Sequence, residues 1–318
     1  MQTALSPHEI VDARGEFAQA VLTGLAHTPR SIPCRFFYDA EGSALFEEIT
    51  QLEEYYPTRT ETALLASHGA EIAEHVGGGV VLVEFGSGSA RKTSLLLDAL
   101  DEVRAYIPID VSEASLAEAA ERLTARHRGL TIPPLIADFT KTRALPSVSG
   151  RASTLGYFSG STIGNLSHTA ARAFLEDAAH LLGPDSALLL GVDLKKSLDI
   201  LLPAYNDASG VTAAFNLNLL ARINRELDGT FALERFAHEA IYNEAAGRME
   251  IYIVSLAEQT ASVLGRNFAF GAGERIHTEN SHKYTVAEFQ ALAESVGWQP
   301  VEAWTDKAKL FSLHLLRL

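Results

Sequence analysis

The sequence predicts an α/β fold: a parallel sheet with helices on its faces, joined to a second unit of α+β character. Three observations predict it. Between Thr60 and Asp193, strand-length apolar runs alternate with helical patterns, the signature of parallel strands linked by helical crossovers. Near Lys195 that rhythm stops, and helical and then antiparallel patterns follow as far as residue 278. After Tyr284 the α/β pattern returns, so the second unit combines the N-terminal segment with a late insertion. A chain of 318 residues suits one large domain or two ordinary ones.

Residues 1–58 read as mostly helix, with Pro7 opening a periodic run through Ile10, Phe17, Val21 and Leu25, and a second run over Leu45–Leu52. A helix over Glu61–Val76 meets three glycines. The apolar run Val80–Phe85 then enters Gly86-Ser87-Gly88-Ser89. A helix (Lys92–Leu100), a strand (Ala105–Asp110) and a helix (Glu113–His127) follow. Strands are expected at Ile132–Ala137 and Thr154–Phe158, a helix at Thr169–Leu182 and a strand at Ala187–Asp193. Residues 197–230 place Leu198, Leu201, Leu202, Phe215, Leu219, Leu220 and Ile223 at helical spacing. Residues 231–278 read as antiparallel strands, because Met249–Val254 alternates and Asn243–Gly247 and Gly271–Gly273 are turn signals. A helix over Val286–Val296, a strand after Trp298 and a strand at Phe311–Leu318 complete the pattern, with Trp298 and Trp304 expected in the core.

Composition excludes several roles. Forty acidic against 26 basic residues give a formal charge of −14, which repels phosphate backbones; Lys195-Lys196 and Lys307/Lys309 are too few for a nucleic-acid track. Cys34 has no partner, so a disulfide framework and a four-thiolate metal site are excluded, and a buried, inert thiol is expected. His277 and His282 lie close in sequence, but no second pair stands at ligand spacing, so no metal is expected. Apolar residues at 47% argue against disorder. The start, Met1-Gln2-Thr3-Ala4-Leu5-Ser6-Pro7, has neither a basic nor an apolar leader region, and the most apolar stretches, Ser186–Val192 and Val80–Phe85, are only strand-length. A cytoplasmic monomer that binds neither membrane nor nucleic acid is the expectation.

The glycine turn after the first parallel strand lets a ligand approach the backbone and the free N–H groups of the next helix. Three ligand classes use such a turn. A dinucleotide fingerprint requires a third glycine where Arg91 stands. A phosphate loop is nearly met by Gly86…Arg91-Lys92-Thr93, and Leu188–Asp193 could serve as the aspartate-tipped strand of an ATPase. An S-adenosylmethionine loop, acidic residue then G-x-G, is met by Glu84-Phe85-Gly86-Ser87-Gly88. Asp110 ends the second strand about two dozen residues past Gly86, where a carboxylate can take both ribose hydroxyls. Asp138-Phe139 ends the third and suits an adenine amino group and ring face. Carboxylates suit a sulfonium cofactor better than a triphosphate, although each aspartate alone is as readily a solvated strand end. A P-loop ATPase and a non-catalytic adenosyl-ligand sensor stay open as alternatives.

Further segments are distinctive: Phe36-Phe37-Tyr38-Asp39-Ala40-Glu41-Gly42-Ser43, Glu54-Tyr55-Tyr56-Pro57-Thr58-Arg59, Gly160-Ser161-Thr162-Ile163-Gly164-Asn165-Leu166, Ala204-Tyr205-Asn206-Asp207, Gly210–Asn216 and Thr278-Glu279-Asn280-Ser281-His282-Lys283-Tyr284. With them, nearly the whole chain resembles the family of L-histidine Nα-methyltransferases of ergothioneine biosynthesis, in which S-adenosylmethionine trimethylates the α-amino nitrogen of histidine to give hercynine. The resemblance implies a Rossmann-like class I methyltransferase core (residues 59–194 and 284–318) and a second α+β substrate-binding domain (1–58 and 195–283). It implies cofactor contacts from Gly86, Lys92, Asp110, Asp138 and Phe139, with Tyr38 beside the reacting centre. It assigns the substrate carboxylate to Asn165 and Tyr205, the imidazole to Glu279 and Ser281, and a further substrate contact to Tyr55. The family's imidazole motif is Thr-Glu-x-Ser-x-Lys, and Asn280 and His282 fill its variable places. Other members act on other substrates, which leaves a different amino acid or small amine as the alternative.

The chemistry asks for these residue types. Methyl transfer is an in-line displacement, so the chain must mainly position a neutral amine. Tyr38 can accept or orient the departing proton, although a tyrosine pKa near ~10 makes a weak base. Tyr38, Tyr55, Tyr56 and Phe139 are expected to offer ring faces to the growing cation. Glu279 accepting an imidazole N–H would reject apolar analogues, which leave the carboxylate unpaired. Lys92 is expected either to cap the cofactor carboxylate or to solvate its helix start.

Overall fold

The computed structural model describes residues 7–88, 90–148 and 153–318; Met1–Ser6 of the start and Ser89 of the glycine turn lie outside the described residues. In chain order the elements are α1 (Pro7–Ala26), β1 (Arg30–Ser31), α2 (Ala40–Ile49), α3 (Tyr56–Val76), β2 (Val81–Phe85), α4 (Arg91–Ala99), β3 (Ala105–Asp110) and α5 (Glu113–Arg126). Then come β4 (Leu135–Ile136), β5 (Thr154–Phe158), α6 (His168–Leu182), β6 (Ala187–Asp193), α7 (Leu198–Tyr205), α8 (Val211–Glu226), β7 (Phe236–Asn243) and β8 (Arg248–Ser255). The chain continues through β9 (Gln259–Val263), β10 (Arg266–Phe270), β11 (Arg275–His282), α9 (Val286–Glu294), β12 (Gln299–Thr305) and β13 (Phe311–Arg317). These form two compact units. One holds the described residues up to Tyr55 with Leu198–Ala245 and Met249–Asn280; the other holds Tyr56–Ser197, Ala246–Arg248 and Ser281–Leu318.

The second unit is built on a seven-stranded sheet in the order β12-β13-β6-β5-β2-β3-β4. Strands β2 to β6 run parallel, whereas β13 is antiparallel to β6 and β12 to β13. This is the α/β, Rossmann-like core expected of a class I methyltransferase. The chain enters at β2 in the middle, winds outward to β4, then crosses to β5, which makes the carboxyl ends of β2 and β5 the topological switch point. Both faces are covered. Val83, Phe85, Ile107, Phe158 and Leu190 pack with Phe174 and Trp298 on one side, and Leu82, Tyr106, Tyr157, Leu189 and Leu313 with Leu65 and Leu123 on the other. Burial on both faces explains why β2 and β6 read as continuous apolar runs. Both tryptophans are buried, and the Trp298 indole N–H donates to the Leu175 carbonyl at 2.9 Å.

The first unit carries a four-stranded sheet, β1-β11-β8-β7, and a β9-β10 hairpin. Its core joins Phe17, Val21 and Leu25 of α1 to Leu219, Leu220 and Ile223 of α8, with Ile253 and Ile276 of the sheet.

Local chemistry accounts for the departures from the expected boundaries. The strand expected at Ile132–Ala137 pairs only over Leu135–Ile136, because Pro133 and Pro134 supply no N–H to a ladder. The second N-terminal helix starts five residues earlier than its apolar run, at Ala40 instead of Leu45, because the Asp39 side chain caps it and accepts the Gly42 N–H at 2.7 Å. The helical stretch 197–230 is two helices, split where the Asp207 carboxylate caps α8 through Val211 N–H (3.0 Å) and Thr212 N–H (2.8 Å). The parallel pairing of β1 with β11 had no signal in its two-residue strand.

Candidate functional site

In the second unit the ends of β2, β3 and β4 bring the glycine turn and the strand-end carboxylates together. Gly86 (φ +75°) and Gly88 (φ +46°) take left-handed conformations that favour glycine. The Gly88 N–H donates to Asp110 Oδ2 at 3.1 Å and the Ser112 N–H to Asp110 Oδ1 at 2.9 Å, so Asp110 is tied to the turn. Asp138 Oδ1 accepts from the Thr140 N–H (2.9 Å) and hydroxyl (2.6 Å), and Lys141 stands 3.8 Å from Oδ2. Phe139 packs edge-on against Phe158 and Phe174, and its ring lies 3.7 Å from where a side chain on Gly86 would begin. Both oxygens of Asp110 and Oδ2 of Asp138 keep a lone pair for a further donor, while Asp138 Oδ1 already accepts two. Acceptors, an aromatic ring and open backbone fit the hydroxyls, amino group and purine face of an adenosyl ligand.

A phosphate loop does not fit. Lys92 Nζ is paired with Glu61 Oε2 at 2.5 Å, and the Thr93 hydroxyl donates to both oxygens of Glu84 at 2.8 and 2.7 Å. The hydroxyl that would hold magnesium is thus committed to a buried carboxylate. Asp193, the aspartate of the supposed ATPase strand, is itself bound by Lys196 and Lys283, each at 2.5 Å. The ATPase alternative is overturned on these contacts.

Glu84 and Lys92 both carry buried contacts. Glu84 is 1% exposed and accepts from Thr93 and Tyr106, tying β2 to α4 and β3 instead of facing a ligand. Burial pushes its carboxyl up to about 7, against the lowering by its hydroxyl partners. Lys92 does more than solvate the helix start, because its ammonium is paired with a buried carboxylate. Its partner Glu61 is wholly buried and also accepts the Gly160 N–H at 2.8 Å. Gly191 must be glycine there, because a Cβ would lie 2.3 Å from Glu61 Oε1.

Asn165, half-buried, ends a 3-10 turn (Thr162–Asn165) after β5 at the switch point. The turn lies against the strand segment that follows Ser281: a Cβ on Gly164 would come within 2.8 Å of the His282 carbonyl oxygen. His282 is buried, with its ring centroid 4.7 Å from that of His168. Ser281 is buried and accepts from Lys283 Nζ at 2.7 Å. Tyr56 is a correction: it was expected to form an aromatic wall, but it is 1% exposed. Its hydroxyl donates to Asp193 at 2.8 Å, and Lys196 Nζ sits 4.4 Å from its ring centroid.

In the first unit, Tyr38 and Tyr55 flank one ring. Phe46 meets Tyr38 edge-on at 5.7 Å and Tyr55 at 6.2 Å, and Phe215 closes on Tyr38 at 5.7 Å. Asp39 fixes this corner. Burial pushes its carboxyl up, but the Gly42 N–H, Arg225 and Asn218 together hold it below the ordinary carboxylate range. Tyr205 ends α7, and its carbonyl accepts from His238 Nε2 at 2.8 Å. His238 Nδ1 accepts from Asn216 Nδ2 at 2.9 Å, and Asn216 Oδ1 accepts the Thr278 hydroxyl at 2.8 Å. Asn216 and His238 thereby brace Tyr205, a role the Gly210–Asn216 segment did not disclose. Glu279 is half-buried in β11. Burial, and then the Glu279 charge, push the half-buried Cys34 up to about 12, which keeps the thiol protonated.

Among the described residues no group of His, Cys, Asp and Glu is placed to hold a metal, and no helix is long and apolar enough to cross a membrane.

The sequence matches, over residues 17–318, a family described as histidine-specific, SAM-dependent methyltransferase. It is 40% identical to the histidine N-alpha-methyltransferase of Mycolicibacterium smegmatis across 99% of both chains. The corresponding protein of Mycobacterium tuberculosis is 39% identical across 93% of this chain and 92% of its own. Ergothioneine biosynthesis protein 1 of Neurospora crassa is 31% identical across 91% of this chain and 33% of that longer protein.

Proposed function

This chain belongs to the family of histidine-specific, S-adenosylmethionine-dependent methyltransferases, and from that premise we propose that it methylates the α-amino nitrogen of L-histidine three times, giving hercynine for ergothioneine biosynthesis. S-adenosylmethionine is the methyl donor and histidine the acceptor. The observation that carries the donor half is the linkage of Asp110 to the Gly86–Gly88 turn at the switch point, a carboxylate fixed where ribose hydroxyls need an acceptor.

The donor is held by Gly86, Asp110, Asp138 and Phe139, with Lys92, backed by Glu61, toward its carboxylate. When bound, it supplies an electrophilic methyl on a sulfonium. The rest of the task belongs to the chain's own groups. Asn165 and Tyr205 hold the substrate carboxylate, Glu279 and Ser281 the imidazole, and Tyr55 a further edge. Tyr38 stands nearest the amine and takes or relays its proton. The rings of Tyr38 and Tyr55, already locked around Phe46, stabilise positive charge as methyls accumulate. Residues 59–194 and 284–318 form the donor-binding core, and 1–58 and 195–283 the substrate-binding domain. We read the chain as a cytoplasmic monomer, and its −14 charge disfavours nucleic acid as a partner.

Incubation with labelled S-adenosylmethionine and each amino acid in turn, read by mass spectrometry, tests this. Histidine should gain one, two and then three methyls. No product with histidine, or a faster reaction with another amine, would overturn it.

A further inference from the structure

One side chain of the first unit reaches three strands at once. Asn216 of α8 is 1% exposed, and its oxygen and both hydrogens of its amide are engaged. Nδ2 donates to the Tyr252 carbonyl in β8 and to His238 Nδ1 in β7, both at 2.9 Å, and Oδ1 accepts the Thr278 hydroxyl in β11 at 2.8 Å. The three strands are neighbours in the order β11-β8-β7.

These contacts leave one arrangement of hydrogens. A carbonyl oxygen can only accept, so Tyr252 requires the amide nitrogen and Oδ1 falls to Thr278. The second amide hydrogen then needs a bare nitrogen, so His238 Nδ1 is unprotonated and the ring carries its hydrogen on Nε2. Burial lowers the His238 pKa, against the raising by the Tyr205 carbonyl, which suits a neutral ring. Nε2 gives its hydrogen to the Tyr205 carbonyl at 2.8 Å. Tyr205 is the last residue of α7, where carbonyls find no partner in their own helix. At the other end of the relay, Thr278 directly precedes Glu279 in β11.

We infer that Asn216 and His238 are positioning residues that hold Tyr205 and Glu279 at one fixed separation, so that the chain selects an amino acid whose ring stands one methylene from its α-carbon. The inference rests on the proposed reading of Tyr205 as a contact of the substrate carboxylate and of Glu279 as a contact of the imidazole. All of these residues belong to the same compact unit. A hold on either end alone would accept a longer homologue, because the free end could shift. Two holds tied through one buried amide would not.

The test uses the full-length enzyme with histidine and homohistidine, which has one more methylene. Glutamine can place an amide nitrogen where Nε2 of histidine stands, whereas asparagine reaches only as far as Nδ1. His238→Asn should therefore raise histidine KM about fivefold, the size of one lost neutral hydrogen bond. His238→Gln should stay within about twofold of native, and S-adenosylhomocysteine affinity by calorimetry should be native in both. The Tyr205→Phe/His238→Asn double should be no worse than Tyr205→Phe alone. Equal KM losses in the two His238 variants, or losses that multiply in the double, would show that His238 does not act through Tyr205. If Tyr205→Phe leaves histidine KM unchanged, the reading of Tyr205 fails, and this inference with it. The native enzyme should prefer histidine to homohistidine at least about tenfold in KM, and Asn216→Ala should narrow that to about threefold or less. A ratio that Asn216→Ala leaves at its native value overturns the shared spacing. Should Asn216→Ala not fold, Thr278→Val, which removes only the hydroxyl, decides by the same two outcomes.

Discussion

Lys92, in the first turn of α4, donates to Glu61 Oε2 at 2.5 Å, and Glu61 has no solvent-exposed surface. The same oxygen accepts the Gly160 N–H at 2.8 Å. One buried carboxylate thus fixes both a lysine at the glycine turn and the backbone beyond β5, two sides of the switch point.

Removing Lys92 should therefore cost stability as well as affinity. Lys92→Met leaves Glu61 buried without its counter-charge, a loss of about 3 kcal/mol for a broken buried pair. Thermal melts of the ligand-free protein should show it directly. A melting point equal to the native one would mean that the pair carries no such weight.

Asp110→Ala should weaken S-adenosylhomocysteine binding by roughly 100-fold, the sum of two hydrogen bonds to a charged acceptor at about 1.5 kcal/mol each. Asp110→Asn keeps an acceptor and should fall between. Calorimetry reads both. Native affinity in the alanine variant would remove Asp110 from the donor site.

Glu279→Ala should raise histidine KM about tenfold or more while donor affinity stays native, because only the imidazole loses its acceptor. Steady-state kinetics with calorimetry separate the two quantities. Unchanged histidine kinetics would take Glu279 out of the pocket.

Stability should depend on pH through three buried groups. Burial lowers His282 and His314 from 6.5 to about 4. Their contribution is whole above 6.5 and is lost as pH falls through about 4. Glu84, raised by burial from 4.5 to about 7, acts in the opposite sense: its contribution is whole below 4.5 and is lost as pH rises to about 7. Two histidines against one glutamate predict a net fall in stability from pH 6.5 toward 4.5. Denaturant titrations should show that fall, and His314→Gln should flatten it. A slope untouched by His314→Gln would exclude this residue.

How far the sequence discloses the fold and the site depends on the range of the contacts involved. The parallel strands and their helices were legible because alternating apolar runs and glycine turns are local signals, and Gly86, Asp110 and Asp138 follow from their places at strand ends. The Pro133-Pro134 break and the Asp39 cap were equally local, and the apolar periodicity outvoted them. Glu61 stayed silent for another reason. Its partners Lys92 and Gly160 are 31 and 99 residues away, and nothing in an amphipathic helix marks one glutamate as facing inward. Tyr56 was misjudged on the same ground, since its acceptor Asp193 lies 137 residues on. Lys283 was visible as the last letter of a motif, but its pairing with Asp193 is a tertiary fact.

The place of β13 between β6 and β12 has a consequence for biogenesis. Among the described residues, the outer edge of β6, a strand buried along its whole length, is paired by residues 311–317. While the ribosome still holds that segment, the nascent sheet carries an open apolar edge of the kind that recruits foreign strands. Until β13 docks, that edge needs shielding, so the pairing of residues 311–317 with 187–193 is the step that closes the sheet.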